Sequence, residues 1–149
     1  YKSSPYADIG TFVKMIKDET PDDLVYLVDD TFSKITLYEN KAKNASAILN
    51  DDGSYDVTFT VEAKKVYSDS TGVQTKAKLN DWLEIGILGE DELSGKKIEI
   101  PILLEKVFIT DSVTTFTYNV NQKPVKAGID PMNKFIDRVI DDNIVRVEF

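Results

Sequence analysis

Between residues 55 and 64, apolar and polar side chains alternate without a break. The apolar positions are Tyr55, Val57, Phe59, Val61 and Ala63, and the polar positions are Asp56, Thr58, Thr60, Glu62 and Lys64. A period of two places every apolar side chain on one face of an extended chain, so this segment is predicted to be a half-buried β-strand. The residues at 50–53 have the composition of a hairpin turn and join it to a preceding strand near 45–49.

Further short runs with strand character follow at regular spacing. They cover residues 73–79, 83–88, 97–104, 114–120 and 125–129, with turn residues at 69–72, 89–91 and 94–95. No segment with a helical period lies between these runs, whereas parallel strands need helical crossovers. The sequence therefore predicts an immunoglobulin-like antiparallel β-sandwich of about seven strands. We expect Trp82, the only tryptophan, to plug one end or face of its core.

The N-terminal region has a helical period. Four apolar residues recur at the i, i+3, i+4 and i+7 spacing of one helix face: Ile9, Phe12, Val13 and Ile16. They belong to a helix expected over residues 6–17, and a second helix starts at 20–23, where Thr20 precedes a proline and two aspartates. The buried face of this second helix is expected to contain Leu24, Leu27, Val28, Thr31 and Ile35.

These patterns divide the chain into two parts. We predict two short antiparallel helices that end near Leu37, within a helical segment over residues 1–38. The β-sandwich domain, with a structured C-terminal tail, is expected to occupy residues 39–149. The fold class is therefore mainly β, with helices at the N-terminal end.

The 149 residues include no histidine and no cysteine. Most zinc sites need imidazole or thiolate ligands, and most hydrolytic nucleophiles need an imidazole as general base. We therefore expect no catalytic residue, no metal ligand and no cofactor in this chain, and no enzymatic activity. A hydrolase built on two carboxylates stays open in principle, although 26 acidic residues place such pairs on a surface by chance.

The balance of charges limits the partners. With 26 acidic and 18 basic residues the net charge is −8, which repels phosphate backbones and anionic lipid head groups. No stretch approaches the ~20 apolar residues of a membrane span. We expect no nucleic-acid partner and no direct membrane insertion. Residues 1–5 contain neither a starting Met nor an apolar signal core, which is typical of an excised or processed piece.

Acidic turns are candidate calcium sites. Asp51 and Asp52 with Asp56, and the turn at 69–72, offer oxygen ligands. Neither spacing matches the ligand positions of a calcium loop such as the EF-hand, so we interpret both as solvated turns.

The C-terminal stretch is the second candidate site. Residues 128–138 and 141–143 are dense in polar side chains, and Asp130 before Pro131 favours a turn. We interpret this stretch as a structured tail whose polar side chains satisfy backbone groups, in preference to a ligand site.

Several stretches carry a family resemblance. The sequence Lys-Pro-Val-Lys-Ala-Gly-Ile-Asp-Pro at 123–131, running into 136–138 and 141–143, resembles the extreme C-terminus of bacterial M1-family metallopeptidases, particularly those fused to ABC-2 type transporter permeases. Similar upstream stretches lie at 20–24, 31–32, 35–38, 57–65, 80–82 and 85–86. The resemblance implies a thermolysin-like zinc domain upstream, with a His-Glu-x-x-His helix. No such motif occurs here, so the zinc is expected in the absent catalytic domain and no functional residue is assigned.

Two functions of different classes follow from these observations. The first is a non-catalytic C-terminal accessory domain that packs against the upstream peptidase domain of the same chain, and the sequence leaves its localisation open. Its interface would be the apolar helix face formed by Ile9, Phe12, Val13 and Ile16. The alternative is a free-standing sandwich that binds a glycan or a peptide, whose sign would be two or three solvent-facing aromatic residues in a row.

Overall fold

The computed structural model describes residues 8–149 and is mainly β. Two helices come first, α1 (Ile9–Glu19) and α2 (Val25–Phe32), separated by a 3₁₀ turn at Asp22–Leu24. The strands that follow are β1 (Ile35–Leu49), β2 (Tyr55–Ser68), β3 (Gln74–Lys76), β4 (Asp81–Leu93), β5 (Lys96–Ile109), β6 (Val113–Val120), β7 (Pro124–Ile129) and β8 (Ile144–Arg146). Residues 1–5, and the first two residues of the helix predicted over 6–17, lie outside the described residues.

The chain divides into two compact units. The helical unit contains residues 8–36 and 67–75 of the described chain, and the sandwich unit contains 37–66 and 76–149. The predicted domain boundary between residues 38 and 39 stays a prediction.

A polar cluster ties the two segments of the helical unit together. The Asp30 carboxylate accepts hydrogen bonds from Lys34 Nζ at 3.2 Å and from the Tyr67 hydroxyl at 3.0 Å. The Lys34 ammonium also donates to the Tyr67 hydroxyl, and this hydrogen bond is the main reason why the pKa of Lys34 is raised. The segment that begins at Tyr67 is thus held to α2 by charge-assisted hydrogen bonds.

The strands form two four-stranded antiparallel sheets in a sandwich-like arrangement, so the predicted fold class is confirmed, with eight strands in place of about seven. In the first sheet β2 pairs with β1, β3 and β6, and Phe59 lies opposite Phe116. The second sheet has the order β5-β4-β7-β8. The strand missed by the sequence reasoning is β8, because three residues are too few to show a period.

The predicted alternation in β2 forms the centre of the core. Val57, Phe59, Val61 and Ala63 are all at most 1% exposed. They pack in one cluster with inward-facing residues of the second sheet, namely Leu83, Ile85, Ile87, Ala127 and Ile129. The core of the sandwich unit therefore lies between β2 and the pair of strands β4 and β7, as the period-two pattern requires.

Three expectations of local structure were wrong. The second helix ends at Phe32, and Ile35, expected on its buried face, begins β1 and is 51% exposed. Residues 89–91 do not form a turn but continue β4, paired with 98–100 of β5. Gly89 is there for close packing, because a Cβ atom would lie 3.0 Å from Ile102 Cγ2. The strand predicted over 73–79 is reduced to β3.

Trp82 does not plug the core. The inward positions of β4 are the odd-numbered ones, beginning with Asp81 and Leu83, so Trp82 points outward and is 40% exposed. Strand parity therefore overrides the preference of a large aromatic residue for the interior.

The C-terminal tail covers the free edge of β1. The Tyr38 amide donates to the Ile136 carbonyl at 2.8 Å, and further along the Ala47 amide donates to the Glu148 carbonyl at 2.7 Å. The tail also packs tightly on β7, because a Cβ atom at Gly128 would lie 2.1 Å from the Asn143 carbonyl oxygen. The tail thus bridges to β1 at two points and leaves less of this sheet edge exposed.

Candidate functional surfaces

The first candidate surface is the apolar face of α1. The helix begins at Ile9 because Asp8 caps it: its carboxylate accepts the Thr11 amide at 2.8 Å and the Thr11 hydroxyl at 3.1 Å. The hydrogen bond from the Thr11 amide is also the main reason why the pKa of Asp8 lies below its usual value. The cap fixes where the helix starts and hence which side chains share a face.

The predicted interface residues divide into two stripes along α1. Ile9 and Phe12 are 71% and 49% exposed, whereas Val13 and Ile16 are half-buried. Met15, which the sequence reasoning missed, lies three residues after Phe12 and is 62% exposed. The spacing i, i+3, i+6 from Ile9 could have found it.

A ring from α2 extends the exposed stripe. Phe32 is 45% exposed and meets the Phe12 ring edge to face, with centroids 6.0 Å apart. We call Ile9, Phe12, Met15 and Phe32 the helical patch. No residue of α1 is buried.

The two lysines of α1 are each paired with an aspartate. Lys14 pairs with Asp18 one turn later, and Lys17 pairs with Asp29 on α2, both at 2.5 Å. The hydrogen bond from Lys17 is the largest cause of the lowered pKa of Asp29. Lys14 and Lys17 therefore add no unpaired positive charge to the surroundings of the patch.

The second notable cluster is a buried ion pair inside the sandwich unit. The side chains of Lys65 and Asp81 are 3% and 0% exposed, and Lys65 Nζ donates to Asp81 Oδ1 at 2.7 Å. The Tyr38 hydroxyl donates to the same oxygen at 3.1 Å, and its ring centroid lies 5.9 Å from the ammonium. Each charge has a partner, as burial of two ions requires, and this geometry suits a structural role that fixes the pairing of the two sheets.

The strand positions of Lys65 and Asp81 in the sequence indicate this buried pair. Lys65 continues the inward positions of β2 directly after Ala63, and Asp81 begins the inward positions of β4. Opposite charges at inward positions of two strands predict a buried contact.

The Asp130 carboxylate at the end of β7 is bound to backbone amides of its own loop. Asp130 has a φ of 45° and is fully buried, and its carboxylate accepts the Lys134 amide at 2.8 Å and the Phe135 amide at 3.0 Å. Burial raises the pKa of this carboxyl above its usual value. Lys134 also donates to both oxygens of Glu84 at 2.6 and 2.8 Å. The predicted turn is confirmed, since the Asn133 amide donates to the Asp130 carbonyl.

The two acidic turns also use their carboxylates internally. Asp52 accepts the hydroxyl and the amide of Ser54, and Asp69 accepts the hydroxyl and amide of Thr71 and the amide of Val73. The hydroxyl hydrogen bonds are the largest cause of the lowered pKa of each aspartate. These contacts are typical of Asx turns and support the interpretation of both regions as turns.

Two aromatic side chains lie together on the outer face of the second sheet. Trp82 on β4 is opposite Phe108 on β5, their ring centroids are 5.4 Å apart, and their planes are inclined at 54°. The rings are 40% and 50% exposed. Leu104 lies further along the same face, 41% exposed, where Gly86 leaves room for it. Neighbouring solvent-facing aromatic residues of this kind are the expected sign of a sandwich that binds a ligand.

Within residues 8–149, no group of three or more acidic side chains is arranged to hold a metal ion. No helix in that same range is long and apolar enough to cross a membrane. Comparison with protein-family models, with curated proteins and with solved structures returns no match. The resemblance to M1-family metallopeptidases therefore stays a prediction.

Proposed function

We propose that this chain is a non-catalytic accessory domain that docks onto a neighbouring protein domain through the helical patch. One observation supports this most directly: Ile9, Phe12 and Met15 are 71%, 49% and 62% exposed on a helix with no buried residue. Amphipathic helices of globular proteins normally cover their apolar face, and exposed apolar patches mark sites of interaction.

The chemistry of the surroundings favours a protein occupant. Helices that lie on membranes have a polar face rich in Lys and Arg, whereas Lys14 and Lys17 are each paired with an aspartate. Anionic lipids would gain little attraction there, and the net charge of −8 opposes them. An apolar protein surface needs no such attraction.

The family resemblance supplies the identity of the occupant in this proposal. It is the upstream peptidase domain of the same chain, which would hold the catalytic zinc, while residues 1–149 contribute only contact surface. The accessory domain would position that peptidase or limit access to its cleft. The isolated chain is then expected to show no aminopeptidase activity and to retain no zinc after dialysis.

The test begins with the full reading frame, in which a His-Glu-x-x-His motif must lie upstream of residue 1. The peptidase domain is then produced separately, and its binding to residues 1–149 is measured by calorimetry. The variant Phe12→Ser/Met15→Ser should weaken binding at least tenfold, since hot spots are central apolar anchors.

The matched control is Ile48→Ser/Leu49→Ser, which removes two exposed apolar side chains from the end of β1, 70% and 60% exposed, in the sandwich unit. It should change the affinity less than twofold. A reading frame without the motif, or equal weakening by the two double variants, would contradict the proposal.

The pair of Trp82 and Phe108 favours a second candidate, a module that binds a glycan on the outer face of the second sheet. Exposed aromatic rings offer apolar contact to the faces of sugar rings. Because Trp82 is the only tryptophan, its fluorescence reports on that face alone. A saturable blue shift on addition of soluble β-glucan oligosaccharides, lost in Phe108→Ala, would favour this candidate, and an unchanged spectrum would remove it.

A further inference from the structure

A cleft with a volume of about 580 Å³ opens on one side of the sandwich unit. Its walls come from the end of β4, the start of β5, the connection between β6 and β7, and the C-terminal tail. Its lining includes Lys97, Lys123, Pro124, Arg146, Val147 and Phe149. Its size lies in the range of sites for small organic ligands.

The charges in this cleft differ in sign from those of the chain. Two of its lysines are matched by acids, with Lys97 Nζ 2.8 Å from Glu90 Oε2 and Lys126 Nζ 2.6 Å from Glu99 Oε1. Lys123 and Arg146 also line the cleft, so four cationic and two acidic side chains take part in its lining. The side chains that line the cleft therefore carry two positive charges in excess, although the side chains of the whole chain have a net charge of −8.

The pKa of Glu90 responds to this excess. It is lowered mainly by the hydrogen bond from Lys97, and the charges of Lys123 and Arg146 lower it further. Both cations thus act on the interior of the cleft, where an anion would experience the same favourable potential.

Apolar side chains also line the cleft. Pro124 is fully buried and Val147 is 8% exposed, while the Phe149 ring is 67% exposed. Lys123 Nζ lies 5.0 Å from the centroid of that ring, which keeps the ammonium at the cleft. A ligand in this cleft would lie near an exposed aromatic ring and two cations.

We propose that this cleft binds a small organic oxyanion, a carboxylate or a phosphate monoester, that carries an apolar or aromatic group. Arg146 supplies the planar donor fork that fits either oxyanion, Lys123 supplies a second charge, and the Phe149 ring covers the apolar part. The site is independent of the helical patch, which lies in the other unit.

A nucleic acid does not fit this surface. The excess positive charge is confined to one cleft, and Glu90 and Glu99, which also line it, would oppose a continuous phosphate backbone.

The experiment titrates residues 1–149 with phenyl phosphate and, separately, with benzoate, and follows backbone amides by NMR. Benzyl alcohol is the neutral probe of similar shape. Both anions should give saturable shifts at amides near Lys123 and Arg146, and benzyl alcohol should not. The tighter of the two anions identifies the oxyanion that the site prefers.

The variant Lys123→Gln/Arg146→Gln should weaken binding at least tenfold. Its matched control, Lys76→Gln/Lys106→Gln, removes the same charge from exposed positions outside the cleft and should change affinity less than twofold. Raising the salt from about 0.05 M to about 0.5 M should also weaken binding severalfold, because the contact is ionic. The inference is overturned if neither anion gives saturable shifts, or if the two double variants weaken binding equally.

Discussion

The helical unit and the sandwich unit bury apolar side chains to very different extents. Among the described residues of the helical unit, Val28 is the only apolar side chain that is buried, whereas the sandwich unit contains a cluster of fifteen buried apolar residues. The two units therefore owe their order to different interactions. The sandwich unit is stabilised by burial of apolar surface, which is the dominant favourable term in folding.

The helical unit relies on local polar contacts. Asp8 caps α1, the Thr20 hydroxyl donates to the Ile16 carbonyl at its other end, and Lys14 pairs with Asp18. Contacts of this kind at exposed sites contribute little each, because water competes for the same groups. Apolar residues of α1 such as Ile9, Phe12 and Met15 thus stay exposed, while in the sandwich unit even the side chain of Lys65 is buried.

A charge placed at one phenylalanine in each unit should have very different effects on the free energy of unfolding. Phe59→Asp puts a carboxylate without a partner into a site that is 0% exposed, and the cost of more than about 4 kcal/mol should abolish the cooperative transition in thermal and urea unfolding. Phe12→Asp, at a position that is 49% exposed, should change the free energy of unfolding by less than about 1 kcal/mol.

Retained cooperative melting of Phe59→Asp would mean that the register of β2 is wrong. Unfolding by Phe12→Asp would mean that the helical patch is covered in solution. Either result would remove the difference between the two units.

The strands were predictable where one face is buried and the other is solvated. The alternation around Phe59 gives the inward positions of β2 directly. Residue type was a poor guide at two other positions. Gly89 is typical of a turn, but it lies inside β4, where it allows close packing. Trp82 is of a type that favours the interior, but its position in β4 points outward. Residue type alone does not reveal which of two packing demands prevails.

The candidate surfaces were predictable only in part. A helical period identified Ile9 and Phe12, because periodicity specifies one face of a helix, but it did not reveal which half of that face is covered. The cleft around Lys123 and Arg146 joins residues from distant parts of the sequence. Such a convergence is set by strand order, which no local pattern specifies.

Removing the lysine from one ion pair in each unit should have a smaller effect on the free energy of unfolding. Lys65→Met leaves the Asp81 carboxylate buried without its cation and should lower the free energy of unfolding by about 3–5 kcal/mol. Lys14→Met removes an ion pair whose side chains are 74% and 58% exposed and should cost less than about 0.5 kcal/mol.

Urea unfolding of both variants gives the two free energies. Replacing both buried partners, Lys65→Met with Asp81→Leu, should recover most of the loss, because apolar groups need no ionic partner. If Lys65→Met costs no more than Lys14→Met, the buried pair is hydrated in solution and the sandwich core is more open than its geometry indicates.

The smallest effect concerns a carboxylate on the solvated face of β2. Glu62 accepts hydrogen bonds from Lys43 on β1 and from Lys64, and these hold its pKa at about 2, against a usual value of 4.5. Because the folded pKa is depressed, the ion pairs contribute stability that is complete above pH 4.5 and is lost as the pH falls through about 2. Titration of the Glu62 carboxyl carbon by NMR should place the midpoint near 2, and Lys43→Gln, which removes the partner on β1, should raise it. A midpoint near 4.5 in the unaltered chain would mean that these lysines are solvated, so that the sandwich unit, like the helical unit, gains little from its surface charges.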